Sequence, residues 1–394
     1  ISSVSEETTK AQFADMLKVF AAALHDGHST ADTTHLKVPP PNTWPIGFLA
    51  VREGIVVGNL NWLKDNPDIE LGDRLVSVNG QAIEDLVRQQ MTVTSASTES
   101  ARRLLALDQL HWTEETSIRF SIERNSGGMI EVDAPCLLGR VDYRFRERKL
   151  FCTTEAVGER IALIRIPQFT WNPLEFHAAR TNQDRESVLS EAKQHIDKAF
   201  SNLHDADGLI LDLRGNSGGF ELLSSYVAEH LVEEDFLYYT TTRNDTPLIR
   251  SLEAYRGFES HLFGRPIPQH PRRWQGIRHF TGPSFKGRLV VLIDSRCFST
   301  TDNLCAFLRD TRSDTRFLGQ PTGAGSGEPM TVASLKNSHV SIQFCVSQVT
   351  SPNGTLIEGH GTLPDMIVER SRSDVIERTD AVLEAAIEEL QNWQ

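Results

Sequence analysis

Cysteine is scarce: Cys136, Cys152, Cys297, Cys305 and Cys345 are the five in 394 residues. They are odd in number and widely spaced, which excludes a disulfide scaffold and a zinc ribbon and leaves the compartment open. Long apolar runs are missing too. None approaches the roughly 18 residues that suggest a spanning helix, so no integral membrane span is expected. Nor is there an excess of positive charge. Forty Lys and Arg against 53 Asp and Glu give a net charge of −13. Phosphate backbones require clustered cations, so nucleic acid is not an expected partner. The basic residues Arg265, Arg272, Arg273 and Arg278 lie in a Pro- and His-rich stretch and read as a solvated loop. Internal repeats and low-complexity tracts are absent. What remains, 39% hydrophobic and 24% charged residues, is the composition of an ordinary globular chain with two to three domains. The chain opens on Ile1 rather than Met, so a trimmed start is the expectation, and a signal peptide removed there would leave no trace in the sequence.

The texture along the chain changes twice. Residues 11–25 read as an amphipathic helix, with Phe13, Met16, Leu17, Phe20 and Leu24 at helical spacing and Gly27 as a stop. Pro39-Pro40-Pro41 cannot continue it. From Trp44 to Pro135 short strands dominate: Gly54 to Leu60, Asp73 to an Asn79-Gly80 turn, Ser117 to Arg124 and Met129 to Asp133, with a helix over 98–107. Beyond residue 160 buried strands alternate with helices: strands at 161–166, 208–213, 288–294 and 340–346, and helices at 184–202, 220–232, 299–311 and 373–391. Residues 245–286 read as loop. Such alternation predicts a layered α/β core.

Four segments could carry chemistry, each with a bland alternative. Leu209 to Gly219 runs from a buried strand into Asp-Leu-Arg-Gly-Asn-Ser-Gly-Gly, whose glycines could present bare N–H groups to an oxyanion or simply make a tight turn. Ser299 starts a helix after a buried strand, where a serine can be a nucleophile or an N-cap. Cys297 is its rival nucleophile, provided an electropositive site ionises the thiol. In His25-Asp26-Gly27-His28-Ser29 one histidine could be a general base. His25, His28 and His35 could alternatively hold a metal, but no closing ligand pattern supports it. Glu358 sits in a Gly-rich, Pro-stopped turn and could orient an imidazole or merely be solvated.

Together these segments resemble the C-terminal processing (tail-specific) serine peptidase family over nearly the whole chain. Leu209 to Gly219 is similar to the family's Asp-Leu-Arg-x-Asn-x-Gly-Gly signature. Ser299-Thr-Thr-Asp302 resembles its Ser-Ala-Ser/Ala-Glu nucleophile motif, with Asp302 replacing Glu. Residues 45–135, above all Leu71 to Gly80, resemble a PDZ domain. Many members pair Ser with a Lys just after a Thr-x-Gly turn. Here Thr322-Gly-Ala-Gly-Ser-Gly327 has none, and Lys336 is the nearest downstream. The resemblance is therefore to the tricorn-core and chlamydial protease-like activity factor branch, which uses Ser, His and Glu. His28 and Glu358 fill the matching positions. The serine that tricorn carries just before its His is Gly27 here, and Ser29 lies on the other side.

The resemblance implies an α/β (α+β) fold whose layered core resembles the crotonase/Clp-protease-like ββα superhelix, with an inserted PDZ-like domain. The expected organisation is an N-terminal helical segment at 1–43, the PDZ-like domain at 44–137 and the peptidase core at 138–394. It further implies a serine peptidase with Ser299 as nucleophile, His28 as base and Glu358 as orienting acid. The N–H groups of Thr300 and of Gly218, or Gly219, would form the oxyanion hole. Ile46, Gly47, Phe48 and Leu49 would form a peptide-carboxylate loop. No metal or cofactor is implied. Polypeptides are the expected partners, a homodimer is a candidate assembly, and the resemblance favours a periplasmic or secreted setting. The alternatives are an inactive relative that binds peptides or hydrophobic ligands, an assembly scaffold, and a Cys297 hydrolase.

Overall fold

The structure is a computed structural model that describes residues 4–33, 36, 42–60, 68–139, 151–179, 181–203, 205–243, 247, 273–278 and 283–393. His35, Pro39-Pro40-Pro41, Arg265 and Arg272 lie outside the described residues.

A six-stranded sheet organises the core, in the order Thr153–Gly158, Ile161–Arg165, Gly208–Asp212, Arg288–Ile293, Thr315–Gly319 and Met366–Ile367. The first pair is antiparallel and all later pairs are parallel. The continuous apolar runs follow from burial of both faces. Ile164, Leu209, Leu211, Leu289, Val291 and Phe317 pack on one face with the helices Asn182–Ser201, Glu221–Glu229 and Thr300–Thr311. Leu163, Ile210, Val290, Leu292 and Leu318 face the helix Ala381–Asn392 through Val382, Ala386 and Leu390. The expected single helix over 373–391 is two, Arg372–Glu377 and Ala381–Asn392. Arg378 turns left-handed between them (φ 60°), and Asp380 caps the second.

The unit from Trp44 onward has its own core around Ile46, Val57, Leu75, Phe120 and Ile122. Its main sheet runs Gly47–Val51, Gly54–Asn59, Arg74–Val78, Ser117–Glu123, Met129–Pro135. The helix Ile83–Met91, not anticipated from the sequence, buries Ile83 and Val87, one turn apart. Phe236–Arg243, to which the sequence reading assigns no element, is a strand, and Arg273–Arg278, expected within the loop 245–286, pairs with it antiparallel. Arg278 is ion-paired with buried Glu229 rather than solvated.

The N-terminal helix spans Lys10–Ala22 and starts at a Thr9–Gln12 capping box. It buries Ala14, Ala21 and Ala22, while Phe20 and Leu24 stay largely exposed. Alanines thus take its fully buried positions, with Phe13, Met16 and Leu17 half-buried beside them. Beyond it, Thr30–Asp32 pairs antiparallel with Ser341–Cys345. Gln343 Nε2 also donates to the His28 carbonyl at 3.0 Å. This pairing brings residue 28 beside the core.

Candidate active site

The parallel strands point their carboxyl ends at one edge of the sheet, where crevices form in such folds. Strand Arg288–Ile293 leads through a short loop to Ser299, just ahead of the helix Thr300–Thr311. Ser299 has φ 60° and ψ −123°, a costly backbone for a residue with a side chain. Its side chain makes no capping hydrogen bond, and Ser299 Oγ lies 3.0 Å from His28 Nε2. The Ser299 N–H donates to the Gly325 carbonyl at 2.7 Å, holding the bend.

Gly218 lies against this bend, with φ +95°. A Cβ there would meet Phe298 O at 2.7 Å, Ser299 Cβ at 2.9 Å and Thr300 N at 3.0 Å. The Gly218 N–H itself donates to Asn216 Oδ1 at 2.9 Å. Thr300 opens its helix, so its N–H has no carbonyl one turn back to bond. The Asp-Leu-Arg part of this segment points elsewhere. Arg214 bridges Asp212 and Asp380, pinning the last helix to the sheet. Burial opposes ionisation of Asp380, but the Arg214 pair prevails and holds it at about 2.

His28 is held from several sides. Its backbone N–H donates to Asp26 Oδ1 at 2.9 Å, and its ring lies over Phe298, centroids 4.5 Å apart. Gly27 and Gly325 flank that phenyl ring so closely that a Cβ at either would strike it. Burial lowers the pKa of His28, and the nearby Asp26 charge opposes this only in part. His28 Nδ1 is buried and lacks a hydrogen-bond partner among the described residues. Its distance to Asp26 Oδ1 is 4.0 Å. His25 turns away, its Nδ1 3.0 Å from Arg102 Nη2. Ser29 donates to Asp26 Oδ2 at 2.5 Å and does not enter the Ser299–His28 pair.

Glu358 arrives on the loop before strand Met366–Ile367. That loop is tied down by the Arg309–Asp365 pair and by the Gly359 N–H to the Ala324 carbonyl. Glu358 Oε2 accepts from the Ser326 N–H at 2.8 Å, while buried Oε1 has no partner among the described residues. Burial pushes its carboxyl up to about 7. The Ser97 hydroxyl approaches the same carboxyl and opposes that rise, without completing a bond to Oε1. Glu358 therefore makes no direct bond to the histidine in this conformation.

Sequence reasoning missed Asp26 and Ser97. Asp26, two residues before His28, had a local signal in its Asx-type turn. Ser97 had none, because it lies 69 positions from His28. Its Oγ accepts the Gly27 N–H at 3.0 Å and lies 3.4 Å from where a Cβ on Gly27 would stand. Ser97 belongs to the small β unit, which also clamps the loop before Ser299 through the Asp108–Arg296 pair.

Cys297 is fully buried and donates to the Leu213 carbonyl at 3.1 Å. Burial raises its thiol well above the ordinary value, the reverse of a reactive thiolate. Lys336 is exposed, unlike a desolvated lysine base. Asp302, at the family's Glu position, is fully buried and accepts from the Gly325 N–H at 3.1 Å. Its carboxyl is pushed up to about 8, chiefly by burial. Asp302 thus holds the Thr322–Gly327 turn from below.

Among solved structures, mature CPAF bound to lactacystin matches with a TM-score of 0.70 at 15% identity, covering 98% of this chain and 89% of that one. Mature CPAF alone gives 0.69 at 15%, covering 99% and 90%. A structure described as an S41 protease from Bacteroides fragilis gives 0.50 at 12%, covering 94% and 88%. At these identities the likeness shows a shared fold. No curated protein sequence matches the chain. The family model for peptidase family S41 matches residues 160–368, more than half of the chain and the part that carries Gly218, Ser299 and Glu358. The chain belongs to peptidase family S41 and is a serine peptidase.

Proposed function

We propose that the protein hydrolyses peptide bonds in protein or peptide substrates through an acyl-enzyme on Ser299, with His28 as base and Glu358 as supporting acid. The observation that carries this reading is the 3.0 Å contact between His28 Nε2 and Ser299 Oγ. It is made by a serine whose side chain forgoes the capping bond its position favours. Nε2 takes the hydroxyl proton as Oγ adds to the scissile carbonyl, then returns it to the leaving amine. Water repeats the cycle to release the acyl group. The Thr300 and Gly219 N–H groups would receive the oxyanion, because the Gly218 N–H is already engaged by Asn216. Glu358, with Asp26 at the edge of reach, would balance the imidazolium.

In the small β unit, Gly47–Val51 forms one edge of its sheet. Ile46 is fully buried, and Phe48 packs on Trp44 and Phe120. The backbone of Ile46-Gly47-Phe48-Leu49, rather than its side chains, would then hold a substrate's terminal carboxylate, with strand addition along the edge.

A fluorophosphonate probe tests the chemistry. Labelling of the purified protein, mapped by mass spectrometry, is expected at Ser299 alone. A protein that stays unlabelled, or is labelled elsewhere, contradicts the proposal.

The small unit is expected to shape the site as well as to present substrate. Ser97→Ala leaves the Gly27 N–H without its acceptor and removes the hydroxyl that approaches the Glu358 carboxyl, so His28 is less well placed. A fall in kcat of about ten- to a hundredfold is expected, part of the 10²–10⁴ that a positioned base supplies, with KM little changed. The fluorophosphonate should still react at Ser299, more slowly. An unchanged kcat would reduce Ser97 to a docking contact. Excising the small unit should, on this view, slow activated esters as well as proteins.

A further inference from the structure

His28 Nδ1, Asp26 and Cys345 offer one ligand atom each, and these atoms lie within 4.8 Å of one another. We propose that this trio is an inhibitory binding site for a divalent zinc-like cation. The trio differs from the histidine cluster suggested by sequence, since His25 bonds Arg102 instead.

Three observations meet here. The His28 side chain is 10% exposed, and its Nδ1 has no hydrogen-bond partner among the described residues, so a ring nitrogen faces the trio unused. Asp26 is held in place by the His28 and Ser29 bonds and, at 3.4 Å, by the Cys345 N–H. Around Cys345 stand the carboxyl groups of Asp26, Glu358 and Glu328, whose charge makes the field negative. The same field favours a cation. Imidazole nitrogen, carboxylate oxygen and thiolate sulfur are zinc's usual ligands, with water as the fourth. Bond lengths of about 2.0–2.3 Å imply ligand separations of about 3.3–3.8 Å, which small side-chain rotations reach from the present spacing.

Binding would work through the tautomer. A base that accepts the Ser299 proton at Nε2 must carry its own proton on Nδ1. A cation on Nδ1 obliges a neutral ring to carry its proton on Nε2, where it can no longer accept. The Cys345 thiol gives up its proton to solvent as its sulfur binds, and no oxidation state changes. The inhibition, unlike the binding, rests on reading His28 as the base.

The test uses the whole chain, freed of metal by a chelator and titrated with zinc sulfate and, separately, with cobalt(II). One zinc per chain, a thiolate-to-cobalt absorption band, and loss of fluorophosphonate labelling that excess chelator restores are expected. Cys345→Ala should label at the normal rate without zinc and need at least a hundredfold more zinc for inhibition. Absence of bound zinc at micromolar concentrations, or equal zinc sensitivity in Cys345→Ala, overturns the site. Cys345-dependent zinc binding to a chain that still labels at full rate overturns the inhibition, and with it the role given to His28.

Discussion

Ser299→Ala is expected to cut peptide hydrolysis by about 10⁴-fold or more while the protein stays folded, the scale seen when a unitary nucleophile is removed. The loss is chemical because Ser299 Oγ is the atom 3.0 Å from His28 Nε2. It is not structural because that oxygen caps no helix. Alanine would inherit the φ 60° backbone at similar cost, and the Ser299 N–H bond to Gly325 is a main-chain bond. Thermal denaturation should therefore shift by no more than about 1 kcal/mol, the worth of one ordinary hydrogen bond. Cys297→Ala should keep most turnover, since Cys297 lies buried against Leu213. A folded Ser299→Ala protein that still turns over substrate would exclude Ser299 as the nucleophile.

His28→Ala should cost several orders of magnitude in kcat, whereas Lys336→Ala should be close to silent. Lys336 is an exposed residue. The pH profile separates the supporting groups. A base must be neutral to act, so kcat/KM rises with pH through the free enzyme's ionisations. Burial sets the His28 step below the ordinary value of 6.5, whereas Glu358 ionises at about 7. If charge on Glu358 is what balances the imidazolium, the wild-type limb should lie near the Glu358 value. Glu358→Gln should then move the limb to lower pH and lower the plateau. A Glu358→Gln limb that stays in place would mean Asp26, whose Oδ1 is 4.0 Å from Nδ1, is the acid that matters. Loss of activity in Lys336→Ala with retention in His28→Ala would overturn the choice of a histidine base.

Much of the core was readable in the sequence because 161–164, 209–211 and 289–293 are apolar throughout, as strands covered on both faces are. The Phe236–Arg243 and Arg273–Arg278 pair was not readable. Thr240, Thr241 and Thr242 interrupt its apolar pattern, and its partners stand more than 30 positions apart. The break at Arg378 was hidden as well, since nothing but a left-handed turn ahead of Asp380 divides the last helix.

The sequence by itself determined the local devices. A strand delivers Ser299 to a helix start, paired glycines permit close approach at Gly218, and a glycine-rich loop carries Glu358. Each depends on neighbours within about ten residues, so propensity and spacing reveal it. Only the tertiary structure decided which of those devices meet. The strand pair Thr30–Asp32 and Ser341–Cys345 carries His28 across 271 positions to Ser299. The small β unit delivers Ser97 to Gly27, and Asn216 takes up the Gly218 N–H. Burial, the largest cause of the opposite shifts of Glu358 and His28, is a property of the packed chain. Long-range pairing and desolvation leave no periodic trace in sequence, which is why the chemistry of this site becomes visible only once the chain has folded.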